Sequence, residues 1–459
     1  MKKDSMSKTL SPLDFRRNAA QAVKDEPLRE AMRIATDMFM TKRAQGLSMV
    51  PIELWRDQAS AIRLDVLDHL PEYVDRFSSS ATRAGAVMHR ARDAEAAREI
   101  IFHILRDRGA KKIVKAKSMI TEEIHLNEYL EDRGFQVVET DLGEYIVQLA
   151  GEKPSHILAP AIHKNRRQVG ELFSEKLGVP YSDDPTVLTK IARGVLRKEF
   201  LTADAGISGV NFAVANSGSI AIFTNEGNGR MATTLPPLHI AVLSIEKVIP
   251  TLKDLSLFSR LLPRSATGQV LSSYLSVITG ARKPGESTGT RELHIVLLDN
   301  GRSEILAGEY REILKCVRCS ACVNICPVYR TIGGHAYGAT YSGPMGIVLT
   351  ALLEGMDKAY PLLDATTLCG ACTEVCPVKV PLVKLLAMLR EQRVNEGLNP
   401  LMERATMATY ALATKSPWLF SLGQKISRAL WPIMRKFAGK GLLGRLPNPA
   451  SRTFRERIS

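Results

Sequence analysis

Apolar positions recur at three- and four-residue steps through residues 1–75 and then change rhythm. Phe15-Arg-Arg-Asn-Ala-Ala and Leu28–Lys42 place good helix formers on that period. Ile52–Phe77 continues it, with Leu54, Ile62, Leu67, Leu70 and Val74 as the packing face. No chemistry-bearing motif falls here. The stretch is predicted to be a helical arm that packs on the next domain or on a second subunit.

From residue 80 to 300 the pattern becomes short apolar runs alternating with helical stretches. The predicted strands are Gly85–His89, Lys112–Lys115, Gln136–Glu139, His156–Ala159, Asn211–Ala215, Ser219–Thr224, Ile240–Leu243 and His294–Leu298. Helices over Ala94–Arg108 and Ile120–Arg133 lie between the earlier ones. Such alternation predicts an α/β sheet with helices on its faces. No G-x-G-x-x-G follows a strand, so a dinucleotide fingerprint is absent. Beyond the Asn300-Gly301 turn, Ser303–Lys315 reads as helical, as do Met345–Leu353 and a stretch from Pro381 through Leu382, Leu385, Leu386 and Leu389. In Pro417–Phe437, Leu419, Leu422, Ile426, Leu430, Ile433 and Phe437 form an apolar stripe beside Lys425, Arg428, Arg435 and Lys436, with Trp418 and Trp431 nearby. A basic amphipathic helix either packs on protein or lies on an anionic membrane surface, and Pro432 is a place for it to bend.

The chemistry is concentrated in Cys316–Pro377. All seven cysteines lie there: Cys316, Cys319, Cys322, Cys326, Cys369, Cys372 and Cys376. The first run, CVRCSACVNICP, has the C-x2-C-x2-C-x3-C-P spacing of bacterial ferredoxins. Soft thiolates suit iron–sulfur clusters, and three cysteines at three-residue intervals wrap three corners of one cube. The fourth, before proline, ligates the other cluster in two-cluster ferredoxins. Cys316, Cys319, Cys322 and Cys376 are therefore the predicted ligands of cluster I. Cys326, Cys369 and Cys372 are those of cluster II. The second run has Thr366 where the full spacing needs a cysteine. Cluster II is then either a three-iron cluster or a four-iron cluster with a non-cysteine fourth ligand. His335, between the runs, is a candidate donor. Two Cys-Pro-terminated runs argue against the spacings usual for zinc. The long helical insert between them points to an α-helical ferredoxin-type two-cluster domain.

Two glycine-rich basic loops in the α/β region are candidate ligand sites: Thr224-Asn-Glu-Gly-Asn-Gly-Arg230 and Thr279-Gly-Ala-Arg-Lys-Pro-Gly-Glu286. Their backbone N–H groups and arginines suit a carboxylate or phosphate, although turns at strand ends have the same composition. Asn225, Glu226, Arg230 and Arg282 are the candidate substrate-binding residues. Glu122, Glu123, His125, Glu144 and His163 are further polar candidates.

Charge sharpens the picture at one end only. Of the net +14, the stretch from Leu401 onward carries +9, from eleven Lys/Arg against Glu403 and Glu456. That basic tail suggests docking to a partner or to the inner face of a membrane, and no nucleic-acid motif accompanies it. No apolar run reaches the ~18 residues of a membrane helix, and MKKDSMSKTLSPLDF has no apolar core of a secretory signal. With no export signal and cysteines suited to reduced thiols, a cytoplasmic location is expected.

GVNFAVANSGSIAIFTNEGNGRMATTLPPLHIAVLSIEKVIP (209–250), ITGARKPGE (278–286), LDNGRSEIL (298–306), CVRCSACVNICPVYRTIGGHAYGATYSGPMG (316–346) and LCGACTEVCPVKVPL (368–382) closely resemble the lactate-utilisation iron–sulfur protein family, LutB. The resemblance covers nearly the whole chain. Asn216 stands where the family often has an acidic residue. The resemblance implies an iron–sulfur subunit of a three-protein system that oxidises L-lactate to pyruvate. Its partners would be a cysteine-rich subunit and a second protein sharing the α/β domain. It also implies a NagB/RpiA/CoA-transferase-like fold for that domain, and the cluster ligands already read from the spacing.

The expected organisation is a helical region over 1–78, an α/β domain over 79–300, an iron–sulfur domain over 301–395 and a basic tail over 396–459. Two other functions compete with the electron-transfer subunit. One is an iron–sulfur subunit for another 2-hydroxy acid or for glycerol 3-phosphate. The other is a transferase or isomerase α/β domain with structural or sensory clusters. No flavin motif is evident, so the carbon centre is expected to be oxidised on a partner, and no catalytic residue is assigned.

Overall fold

The computed structural model describes residues 11–437, 448 and 450. Residues 11–392 fall in one compact unit and the chain from Arg393 in another.

Among the described residues ten strands form two sheets: β1 (Val87–Ala91), β2 (Lys112–Lys115), β3 (Gln136–Glu139), β4 (Ala205–Gly209), β5 (Phe212–Val214), β6 (Ser219–Thr224), β7 (Leu238–Ser244), β8 (Val248–Ile249), β9 (Tyr274–Ile278) and β10 (Glu292–Leu298). Six of them make a sheet in the order β1-β10-β7-β4-β2-β3, parallel throughout. Four make a smaller sheet, β8-β5-β6-β9. Both faces of the larger sheet are covered, as a parallel sheet requires. Ile240, Val242, Val296 and Leu298 face the helix Ala94–Asp107 through Ala97, Ile101 and Leu105. Their neighbours Ala241, Leu243, Ile295 and Leu297 face the other way, onto Val66, Leu70, Val74 and Phe77 of the N-terminal helices. From β2 the chain steps outward to β3 and then returns to the other side of β2 as β4. The strand order therefore reverses between β2 and β4.

The α/β class and most strand positions agree with the sequence reading, and four departures have local causes. His156–Ala159 is not a strand. The His156 Nδ1 accepts the N–H groups of Leu158 at 3.0 Å and Ala159 at 3.1 Å, which curls the segment. Helix 120–133 is two helices, Met119–Glu123 and Leu126–Glu131, broken where His125 turns left-handed at φ 49°. Strand β4 was not predicted because AGISG has no apolar run. It is central because it is small: a Cβ on Gly206 would lie 1.8 Å from the Ala232 carbonyl oxygen. The N-terminal packing face is also rotated. Leu54 is 55% exposed, whereas Ala59, Arg63 and Val66 are buried with Leu67 and Leu70.

Within β7, His239 is fully buried, with its Nε2 2.8 Å from the Ser208 hydroxyl. Burial lowers its pKa to about 3. The unfolded chain takes up this proton near pH 6.5 and the folded chain does not. Stability is therefore expected to fall as pH drops from about 6.5 towards 3, by up to about 1.4 kcal/mol per pH unit from this group. Chemical denaturation of His239→Gln between pH 7 and 4 should show a shallower acid loss than the parent chain. An equal slope would contradict this.

In the second unit, helices Leu401–Thr414 and Pro417–Phe437 pack on each other. The latter runs through Pro432 without a break. Leu422, Ile426, Leu430 and Ile433 of its stripe are exposed. The side chains of Lys436 and Phe437, the basic residues Lys440, Arg445, Arg452, Arg455 and Arg457, and the N-terminal residues 1–10 lie outside the described residues. Among the described residues no helix is long and apolar enough to cross a membrane.

Candidate metal centre

The two cysteine runs fold as one motif repeated fifty residues apart. Cys319, Cys322 and Cys326 correspond to Cys369, Cys372 and Cys376, and Cys316 corresponds to Thr366. The residues flanking the second position turn left-handed in both copies: Arg318 (57°) and Ser320 (64°) in the first, Leu368 (54°) and Gly370 (92°) in the second. Non-glycine residues rarely adopt this conformation, so three of them in two short loops mark a strongly determined backbone. A short helix follows in each copy, Ala321–Ile325 and Ala371–Glu374, and Cys326 leads into a helix at Pro327.

The repeat brings the thiols together across the runs. Cys316, Cys319, Cys322 and Cys376 line one small pocket, closed by Ile313, Val317, Met345, Val380 and Leu382. Backbone N–H groups point at two of its sulfurs, Arg318 to Cys316 Sγ at 3.4 Å and Val380 to Cys376 Sγ at 3.2 Å. Burial, and then the neighbouring Cys376 and Cys316, push the Cys319 thiol up to about 12. Burial pushes Cys322 well above the usual thiol range, with Cys316, Cys319 and Cys376 adding to it. The remaining thiols form a second group. Burial raises Cys372 to about 11, followed by Cys326 and Cys369, and Cys326 is raised by burial and Cys369. Cys369 itself is exposed, and its pKa is lowered by the Ala371 N–H and the Thr367 hydroxyl.

This donor set fits iron. Buried thiolates repel one another and lack water, so they persist only around a shared soft cation. N–H groups aimed at sulfur are a regular device for tuning clusters. The Thr366 position is as informative as the cysteines. Its Oγ1 accepts the Leu368 N–H at 3.1 Å, the same two-residue hydrogen bond that Cys316 Sγ takes from Arg318. A hydroxyl thus sits where the repeat has a thiol in its other copy.

The N-terminal helices, which carried no motif, hold both runs in place. Arg63 is buried and donates to the carbonyls of Lys315 (3.2 Å), Leu314 (2.8 Å) and Val248 (3.0 Å), and to Glu246. Arg56 reaches the carbonyls of Cys376 at 3.0 Å and Glu374 at 2.7 Å. Arg43 reaches Val375 at 3.1 Å. The two runs are tied by Lys315, whose Nζ donates to the Lys379 carbonyl at 3.0 Å. Arg56 and Arg63 are seven residues apart, on one helix face with Ala59 and Val66. An arginine inside an otherwise buried helical face was the only signal available in the sequence.

Glu122, Glu123, His163 and His335 have structural partners. Glu123 binds Arg302 through both oxygens, at 2.9 and 2.8 Å, and accepts from Tyr341 at 2.7 Å, joining the sheet to the cysteine segment. Arg302 in turn meets Glu246 at 3.0 Å, which faces Arg318 at 3.6 Å. Glu122 pairs with Lys115 at 3.1 Å. Glu144 is buried, and burial raises its pKa well above the carboxylate range. His125 is the exposed hinge described above. His335 sits against His163, with ring centroids 4.4 Å apart, and its Nε2 lies 2.6 Å from the Lys153 carbonyl. With Glu152 these two histidines form a separate small group whose possible ligand atoms lie within 4.8 Å of one another.

Beside the cysteine segment lies a cavity of about 590 Å³. Asn225 and Glu226 line it, while Arg230 and Arg282 do not. Arg230 instead covers the Tyr274 ring at 5.2 Å, and Arg282 reaches the Ser287 carbonyl in its own loop at 3.5 Å. The sequence reading missed Lys117, Lys247 and Arg318, which reach the same cavity from distant stretches.

Comparison with known proteins agrees with both halves of this architecture. The LUD domain family model matches residues 74–298, and the 4Fe-4S dicluster domain model matches residues 312–380. Lactate utilization protein B of Bacillus velezensis is 43% identical over 97% of this chain and 93% of its own length. The proteins of that name from Geobacillus thermodenitrificans and Bacillus subtilis are 47% identical (88% of this chain, 85% of that protein) and 42% identical (95% and 91%). A crystal structure of a DUF162 family protein from Deinococcus radiodurans matches 50% of this chain and 98% of its own at 15% identity, with a TM-score of 0.29 that is too low to argue a shared fold. Identity at this level along almost the full length, with the thiol-lined pocket inside the dicluster match, places the chain in the lactate utilization protein B family.

Proposed function

We propose that this chain is the iron–sulfur electron-transfer subunit of a multi-protein system that oxidises L-lactate to pyruvate. The observation that carries this reading is the division of seven thiols into a group of four and a group of three, each drawing on both runs. Cys316, Cys319, Cys322 and Cys376 would hold one cluster, and Cys326, Cys369 and Cys372 the other. Bound there, the clusters supply one-electron transfer. The chain's own residues set its conditions. Ile313, Val317, Met345 and Leu382 keep water from the group of four, and the Arg318 and Val380 N–H groups stabilise charge on its sulfurs. Exposed Cys369 puts the group of three at the surface, where a partner protein reaches it.

Thr366 belongs to this reading as the fourth-ligand position of the second group. Either its hydroxyl completes a four-iron cluster or that corner stays open. Thr366→Cys is expected to raise the iron content of aerobically handled protein to about eight per chain and to abolish any three-iron EPR signal. An unchanged spectrum would remove Thr366 from the site.

The partners in this reading are a cysteine-rich subunit and a second protein sharing the α/β domain. The all-parallel six-stranded sheet with helices on both faces supports a NagB/RpiA/CoA-transferase-like domain over 79–300. In this reading it follows a helical region over 1–78 along the chain and precedes an iron–sulfur domain over 301–395 and a basic tail over 396–459. The exposed apolar residues Leu422, Ile426, Leu430 and Ile433 of that tail suit those partners or an anionic membrane. Cosedimentation with anionic vesicles, with and without the tail, separates the two. The substrate is tested by growth of a deletion strain on L-lactate, another 2-hydroxy acid and glycerol 3-phosphate. Loss confined to L-lactate supports the reading, and loss confined to either of the others overturns it.

A further inference from the structure

The cavity beside the cysteine segment carries chemistry that electron transfer does not use. Its volume, about 590 Å³, is that of a small-molecule site. It lies at the carboxyl ends of β2, β4, β6 and β7, astride the reversal of strand order between β2 and β4. Open α/β sheets place their ligands at such a point. Three basic side chains reach its wall from separate stretches: Lys117 after β2, Lys247 after β7 and Arg318 between Cys316 and Cys319, with burial lowering the pKa of both lysines, that of Lys247 to about 7. Lys117 Nζ, Arg318 Nη1 and Asn228 Oδ1 are buried without a hydrogen-bond partner among the described residues.

Buried donors without acceptors call for a ligand that supplies oxygens. The wall also carries Asp141 and Glu226, but Glu246, the carboxylate facing Arg318, is shared with Arg302. Charge balance for the thiolates is the competing account of these basic side chains. It leaves the Lys117 Nζ donors unexplained: burial lowers the Lys117 pKa and Asp141, Glu144, Glu226 and Glu139 are the charges that act on it most, yet no group hydrogen-bonds its Nζ among the described residues.

We propose that this cavity binds a small 2-hydroxy or 2-oxo carboxylate, with Lys117, Lys247 and Arg318 selecting its negative charge. The choice of carboxylate rests on the lactate-oxidation reading, whereas the preference for an anion rests on the lining alone. Arg318 and Tyr341 close the wall from the cysteine segment, so the bound acid lies against the backbone that carries Cys316 and Cys319.

The test is calorimetric titration of the full-length chain, purified without oxygen, with L-lactate, pyruvate, glycerol 3-phosphate and neutral glycerol. Saturable binding of L-lactate, displaced by pyruvate and not by glycerol, is expected. Lys117→Met should weaken it at least tenfold with iron content unchanged. Asn228→Asp, which adds a negative charge at constant size, should do the same and serves if Lys117→Met does not fold. Absence of lactate binding by the parent chain overturns the proposal, as does full affinity in both variants. Binding of glycerol 3-phosphate with exclusion of lactate overturns the substrate class. A chain that binds no lactate yet is still reduced by lactate through its partners would sink this inference and leave the electron-transfer reading standing.

Discussion

Changing Cys376 to serine is expected to remove the same cluster as changing Cys316, although the two residues belong to different runs. Cys376 shares a pocket with Cys316, Cys319 and Cys322, and its thiol is raised by burial and by Cys316. Its own run contributes Cys369 and Cys372 to the other group. Cys316→Ser and Cys376→Ser should therefore each lose about four irons per chain and give matching residual EPR spectra. Cys326→Ser and Cys369→Ser should match one another and differ from that pair. Spectra that sorted by run, with Cys376→Ser resembling Cys369→Ser, would contradict the crossover. Because the clusters are the proposed function, each of these variants should also abolish lactate-dependent electron flow.

The second large effect lies far from any cysteine in sequence. Arg63→Met should destabilise the unit of residues 11–392 by about 3 kcal/mol or more, since each charge-assisted bond contributes roughly 1.5–3 kcal/mol and an orphaned buried carbonyl costs about 1–3 kcal/mol. Arg63 is 1% exposed and bonded to four carbonyls that bracket β8 and the start of the first cysteine run. Burial lowers its pKa only to about 10, so it stays charged at neutral pH. Methionine keeps an unbranched apolar stem and loses the guanidinium with every donor. Urea unfolding and iron content measure both consequences. A variant with the parent's midpoint and full iron would show that the cradle is dispensable. Arg56→Met, at a half-buried site with two carbonyl partners, should fall between the two.

These two expectations mark how far the sequence reaches. Cysteine spacing is local, and the proposed ligand grouping follows from it because the crossover is written in Cys-Pro positions. Periodicity carried the α/β sheet with its covering helices, because Ile, Val and Leu runs such as β7 and β10 are buried on both faces. The arginine cradle was illegible for a physical reason. An arginine on an amphipathic helix ordinarily lies in solvent, and Arg63 meets a carbonyl 252 residues away. Strand β4 was illegible because its residues are chosen for closeness rather than hydrophobicity. The cavity is assembled from loops after β2, β4, β6 and β7 plus the cysteine segment, so Lys117, Lys247 and Arg318 share no local pattern. Glycine-rich turns were visible, and they identified Asn225 and Glu226 on the cavity wall but also Arg230 and Arg282 away from it.

The most direct measurement is iron and acid-labile sulfide content with EPR on protein purified without oxygen, before and after addition of L-lactate with and without the partner subunits. Seven to eight irons per chain, reduced by lactate only when the partners are present, is the predicted result. Zinc in place of iron, or clusters that lactate never reduces, would contradict the account.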